Sequence, residues 1–146
     1  MKKVLSIVFT VILFVMAQSF AQDNPKRIEA ENFSETDKAT IKESKEVTFV
    51  NQFAKGSWIK FDKLDFGKEG TEQLKFRVSS GSKASPALEI RLGGHKGKLL
   101  GKIDVETKNW GKYTEQTLQI PKTKGKQTIA IVSTGGGVLL DWFEIN

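Results

Sequence analysis

The chain predicts an all-β fold, a single β-sandwich domain, on three observations. Apolar and polar residues alternate with period two in Leu74-Lys75-Phe76-Arg77-Val78 and in Leu88-Glu89-Ile90-Arg91-Leu92, the pattern of a strand with one face on a core. Gly-rich or Pro-containing clusters recur between such runs. No apolar stripe at helical spacing runs for a useful length. Short strands separated by turn signals argue a sandwich or a barrel.

Taken in order, residues 1–21 read as a secretory signal peptide. Lys2 and Lys3 give the charged start, Val4 to Met16 is apolar apart from Ser6 and Thr10, and Ser19 and Ala21 fit the small-residue positions of a cleavage site. The apolar run is short for a bilayer span and no charged stop follows it. No membrane anchor is therefore expected, and the chain is read as secreted or periplasmic. Residues 22–146 are expected to form one domain, long enough for one core. Strands are expected at Arg27–Glu31, Thr40–Phe49, Trp58–Phe66, Leu74–Val78, Leu88–Leu92, Leu99–Val105, Tyr113–Ile120, Thr128–Val132 and Val138–Ile145. The breaks between them fall at 56–57, 67–70, 79–86, 93–97, 121–125 and 135–137. No repeat or linker divides residues 26–146.

Composition narrows the chemistry. Cysteine is absent and His95 is the only histidine. No disulfide framework and no nitrogen- or sulfur-rich zinc site can be assembled, and a nucleophilic triad would depend wholly on His95. His95 lies in Gly93-Gly94-His95-Lys96-Gly97, where an exposed turn residue is expected. Glycoside hydrolysis needs only two carboxylates, so the residue inventory leaves it open, but no catalytic residue is singled out and the chain is not read as an enzyme. Without Lys2 and Lys3, 21 basic residues face 17 acidic ones. That excess is too mild, on an exported chain, to suggest nucleic acid.

Some candidates follow from pattern alone. In Trp58-Ile59-Lys60-Phe61-Asp62, Ile59 and Phe61 share one strand face while Trp58 and Lys60 share the other. With the first pair in the core, Trp58 becomes a solvated aromatic platform beside Lys60, unless a neighbour covers it. Glu29 and Glu31 stand two apart on an expected strand, so their carboxylates point the same way. They repel unless a cation or a basic side chain neutralises them, and hard carboxylate oxygens suit calcium. Residues 96–126 hold eight lysines against three acids. These favour an acidic or sulfated ligand, or serve only solubility.

Several fragments, taken together, resemble a known family. They are Arg27-Ile-Glu-Ala-Glu-Asn-Phe33, Gly56-Ser-Trp-Ile-Lys-Phe61, Leu64-Asp-Phe-Gly67, Leu88-Glu-Ile-Arg-Leu92, Leu99-Leu-Gly101, Asn109-Trp-Gly-Lys-Tyr113 and Leu140-Asp-Trp-Phe-Glu-Ile145. In this order and spacing they resemble the family 6 carbohydrate-binding modules over nearly the whole mature chain. The resemblance implies a β-sandwich jelly roll, a structural calcium ion and two sugar sites. It adds Asp141 to Glu29 and Glu31 as a calcium ligand, provided the first and last strands pair.

One implied site lies in the loops at an end of the sandwich, where two aromatics flank a sugar ring and an Asn bonds its hydroxyls. Trp110 matches the later aromatic. The other two positions depart from the pattern: the earlier aromatic is Gln52 and the Asn is Leu139. Gln52, with Asn51 beside it, is expected to offer amide contacts to hydroxyls. The other implied site, on a sheet face, falls on Trp58 and Lys60. The expected function is that of a monomeric, secreted, non-catalytic protein binding polysaccharide or oligosaccharide. The alternative is a structural or protein-interaction domain that has kept the fold and lost sugar affinity.

Overall fold

The structure is a computed structural model that describes residues 25–52, 54–106 and 108–146. The expected signal peptide, residues 1–21, lies outside the described residues. The strands are β1 (Lys26–Glu29), β2 (Glu35–Asp37), β3 (Thr40–Glu43), β4 (Thr48–Gln52), β5 (Trp58–Asp65) and β6 (Thr71–Ser79). They continue as β7 (Ala87–Leu92), β8 (Lys98–Asp104), β9 (Thr114–Thr123), β10 (Lys126–Ser133) and β11 (Val138–Ile145). A 3-10 turn, Ala30–Asn32, follows β1.

Two antiparallel sheets pack face to face. One runs β3-β4-β11-β6-β9, with β1 joining β11 beyond the end of β4; the other runs β2-β5-β10-β7-β8. First and last strands do pair, Arg27 opposite Glu144 and Glu29 opposite Trp142. The alternation read from the sequence decides the inner faces. Leu74, Phe76 and Val78 of β6 and Ile59 and Phe61 of β5 are buried in one cluster with Leu88, Ile90, Ile129, Ile131, Leu140 and Phe143. Phe143 meets Phe61 edge-on at 5.0 Å and Phe76 at 5.8 Å, tying the two sheets together. Burying a large apolar side chain of this kind contributes about 1.5–3 kcal/mol.

Three details depart from expectation and each has a local cause. The expected strand Thr40–Phe49 is a hairpin, because the Ser44 hydroxyl accepts the Val47 N–H and closes a turn within it. β9 runs past Pro121 to Thr123; it is an edge strand, where a missing N–H removes no obligatory ladder bond. Finally, β11 carries a bulge between Leu140 and Trp142. The extra residue is Asp141. It keeps Leu140 and Phe143 both in the core and turns Trp142 and Glu144 to the outside.

Candidate functional site

The loop between β8 and β9 carries Trp110 at one end of the sandwich. The residue is 48% exposed. The loop is nonetheless held: the Lys108 N–H bonds the Ser80 carbonyl at 2.9 Å, and the Gly111 N–H bonds the Ser79 hydroxyl at 2.9 Å. The indole rests on the backbone at Gly81, where an added Cβ would sit 2.7 Å from it. A large apolar ring is thus presented to solvent from an anchored base.

A row of residues runs from this loop across the outer face of the larger sheet. Ser79, at the end of β6, is opposite Leu139 on β11, which is opposite Asn51 on β4. Two strand spacings put Asn51 about 10 Å from Ser79, roughly the length of a disaccharide. The Asn51 Oδ1 is buried and has no hydrogen-bond partner, an acceptor suited to a donor hydroxyl. Leu139 is 7% exposed yet lies outside the core cluster, an apolar floor between the two ends.

Gln52 requires a correction. It was expected to reach sugar hydroxyls; instead it is fully buried, its Nε2 donating to the carbonyls of Ser57 and Ile131 at 3.3 and 3.2 Å. Alternation within β4 puts it on the same side as Val50, in the interior.

Next to this row on the same face is an open, charged pocket of about 550 Å³. Glu29, Glu31 and Asp141 all line it, with Arg27, Arg77 and Trp142. Two of the carboxylates are neutralised by guanidinium groups: Arg27 pairs with Glu29 at 2.7 Å, and Arg77 pairs with the largely buried Asp141. Glu31 lies in the 3-10 turn and not on the strand of Glu29, so the two carboxylates are not parallel neighbours as expected. Its Oε2 is buried and unpartnered. Among the described residues no three carboxylates converge closely enough to hold a metal ion as they stand. The orphaned Glu31 oxygen fits a cation; the paired Glu29 and Asp141 fit one only by exchanging their arginines. Arg77 also lies 4.6 Å over the ring of Tyr113, and Tyr113 is 6.5 Å from Phe49. Burial pushes the Tyr113 phenol up to about 12, with the Asp141 carboxylate adding to the rise and Arg77 opposing it.

The second candidate surface is the outer face of the other sheet. As expected, Ile59 and Phe61 are buried while Trp58 and Lys60 face outward. Trp58 is not an open platform, however. The ring of His95 stacks on it at 4.4 Å and 5° between planes. Lys60 is ion-paired to Glu35, whose hydrogen bond raises the Lys60 pKa above its ordinary value. These residues line an open pocket of about 490 Å³ with Lys96 and the hairpin glycines.

Each surface therefore combines an aromatic face with polar groups around it, a chemistry that suits pyranose rings. Sequence reasoning missed Glu35, Arg77, Tyr113 and the contact of His95 with Trp58. Arg77 alone had a visible signal: its place in the alternating β6 run put it on the outer face.

A family model described as carbohydrate binding module (family 6) matches residues 29–146. Among solved structures, a family 6 module from Clostridium cellulolyticum in complex with xylose is 28% identical, with a TM-score of 0.74 over 81% of this chain and 94% of that one. CsCBM6-3 from Clostridium stercorarium in complex with cellobiose is 25% identical, with a TM-score of 0.74 over 81% and 90%. The module CBM36, in complex with calcium and xylotriose, is 23% identical and shares the fold, with a TM-score of 0.63 over 82% and 98%.

Proposed function

Because the chain belongs to the family 6 carbohydrate-binding modules, we propose that it is an exported, non-catalytic protein that holds polysaccharide or oligosaccharide by aromatic stacking. The observation that carries this reading is Trp110, an anchored residue left 48% exposed at the end of the sandwich. A sugar ring laid on its exposed face would extend over Leu139 toward Asn51, whose unpartnered Oδ1 would accept a hydrogen bond from a hydroxyl once the side chain turns outward. Trp58 and Lys60 form the second sugar site, on the opposite sheet.

Calcium is the structural ion in this reading. It would sit against the Glu31 carboxylate, with Glu29 and Asp141 turning to it from Arg27 and Arg77, and would supply charge neutralisation and no chemistry. The single histidine, stacked on Trp58, is engaged in packing, which supports a binding role over nucleophilic catalysis.

The test is calorimetric titration of residues 22–146 with cellotriose, xylotriose and a β-1,3-glucan trisaccharide, in the native form and as Trp110→Ala and Trp58→Ala. Binding lost in one of the variants supports the reading and assigns the face. The burial of Gln52 and the replacement of an edge amide by Leu139 favour a second reading, a sandwich kept for scaffold or protein contacts. A flat titration with all three sugars, and with a wider glycan panel, would favour that one.

A further inference from the structure

The hairpin between β7 and β8, residues 93–97, is held at its feet, and its turn is closed by the Gly97 N–H on the Gly94 carbonyl at 3.0 Å. The Gly93 N–H bonds the Thr128 carbonyl at 2.7 Å, and Arg91 Nη1 bonds the Gly97 carbonyl at 2.9 Å. Between them Gly93 and Gly94 take φ angles of 84° and 153°, with nothing within 4 Å of where either Cβ would stand. With the turn closed by the Gly97–Gly94 bond, the movement that costs least is rotation of a side chain about its own χ angles and not of the turn. Its crown carries His95, and His95 is laid parallel on Trp58 at 4.4 Å.

That separation is closed to a sugar. A pyranose between two rings needs them about twice the ~3.5–4 Å contact distance apart. Within the sheet Trp58 stands opposite Val132, which is only 9% exposed, and opposite Asp37. On the face where His95 stacks, the indole has no room for a sugar ring.

We propose that the His95 side chain, carried on the Gly93–Gly97 hairpin, is a lid: it occupies the stacking face of Trp58 in the free protein, and a sugar reaches that face only by displacing it. The inference rests on the sheet-face site of the reading above and concerns its regulation. It also sets a selectivity. One sugar ring replaces one stacked ring and gains little. A longer chain that also meets the Lys60–Glu35 pair gains contacts the imidazole cannot match, so the lid favours oligosaccharides over monosaccharides. A stacked aromatic pair is worth enough to lower affinity roughly two- to tenfold.

His95 is the only histidine of the chain, so its imidazole protons are a single, assignable proton NMR reporter. In the free protein they should be shifted upfield by the indole ring current. Saturating cellotriose, xylotriose or β-1,3-glucan trisaccharide should return them to ordinary positions. His95→Ala should bind two- to tenfold tighter, and adding Trp58→Ala should remove that gain. Imidazole protons without an upfield shift in the free protein overturn the lid before any sugar is added, as does a His95→Ala variant that binds none of the three. If Trp58→Ala abolishes binding but His95→Ala weakens it, the site stands and His95 is a wall, not a lid. If Trp58→Ala changes nothing, the sheet-face site fails and the lid with it.

Discussion

Replacing Trp110 by Ala is the most direct perturbation of the end-loop site, and its size follows from the geometry. A tryptophan presents on the order of 200 Å². With 48% of the residue exposed, about 100 Å² is open, and one sugar ring covers roughly half of that. At about 25 cal/mol/Å² the covered area is worth ~1.2 kcal/mol, and the aromatic geometry adds about 1 kcal/mol. The sum, about 2 kcal/mol, corresponds to roughly a thirtyfold loss of affinity. Titration calorimetry on the sugar that binds best measures this directly. Stability should fall by less than about 1 kcal/mol, because the ring packs on Gly81 and not in the core. Unchanged affinity in Trp110→Ala, with binding lost in Trp58→Ala, would refute the argument and move the working site to the other sheet.

The remaining expectations concern stability. Gln52→Tyr, which restores the family aromatic, should not create a sugar wall; it overfills a buried position and breaks two hydrogen bonds, lowering stability by about 1–3 kcal/mol in denaturant unfolding, and tighter sugar binding by this variant would contradict the burial. If calcium binds at Glu31, excess chelator should lower the melting temperature by roughly 10 °C for an ion present at about 100 times its dissociation constant; an unchanged melting curve, with no calcium in the purified protein, would remove the ion. The single tyrosine should titrate late at 295 nm, near 12 and not 10. The folded state then holds the Tyr113 proton more tightly than the unfolded state, so stability is full below pH 10 and falls as pH rises toward 12. Since Tyr113 is half-buried and screened, the loss is about 1 kcal/mol, and a phenol titrating at the unfolded value would refute it.

How much of this was legible depended on whether one strand carried its own reference. In β6, Leu74, Phe76 and Val78 alternate with charged residues, and both faces can be read without knowing any partner. β11 offers no such contrast. Val138-Leu139-Leu140 is apolar throughout, and the bulge at Asp141, which decides that Trp142 faces outward, is set by the partner strand. β2 is three polar residues whose only structural logic is a partner, Glu35 beside Lys60. The family pattern puts Gln52 at the position of an end-loop aromatic. The stronger signal was local: Val50 and Gln52 are two apart on one strand and share the inner face. His95 was read as an ordinary turn residue because its contact crosses from the β7–β8 hairpin to β5, which no local pattern encodes.

The lysine-rich segment shows the same limit from the electrostatic side. Its density along the chain suggests one basic surface for an acidic ligand, but the fold disperses it. Lys96 belongs to the hairpin over Trp58. Lys108 lies beside Trp110 in the end loop and faces Glu106 at 3.3 Å. Lys122 and Lys124 lie elsewhere again, with their Cγ atoms close to Gly70. Lys102 is near Asp104 and opposite Glu89. Charges parted by more than about 10 Å act almost independently in physiological salt, so these lysines do not add into a single attractive field. The exposed ring of Trp110 and the ring of Trp58 beneath His95 mark the two outer faces, and whatever selectivity the protein has for a sugar's charge rests on the one or two lysines beside each ring.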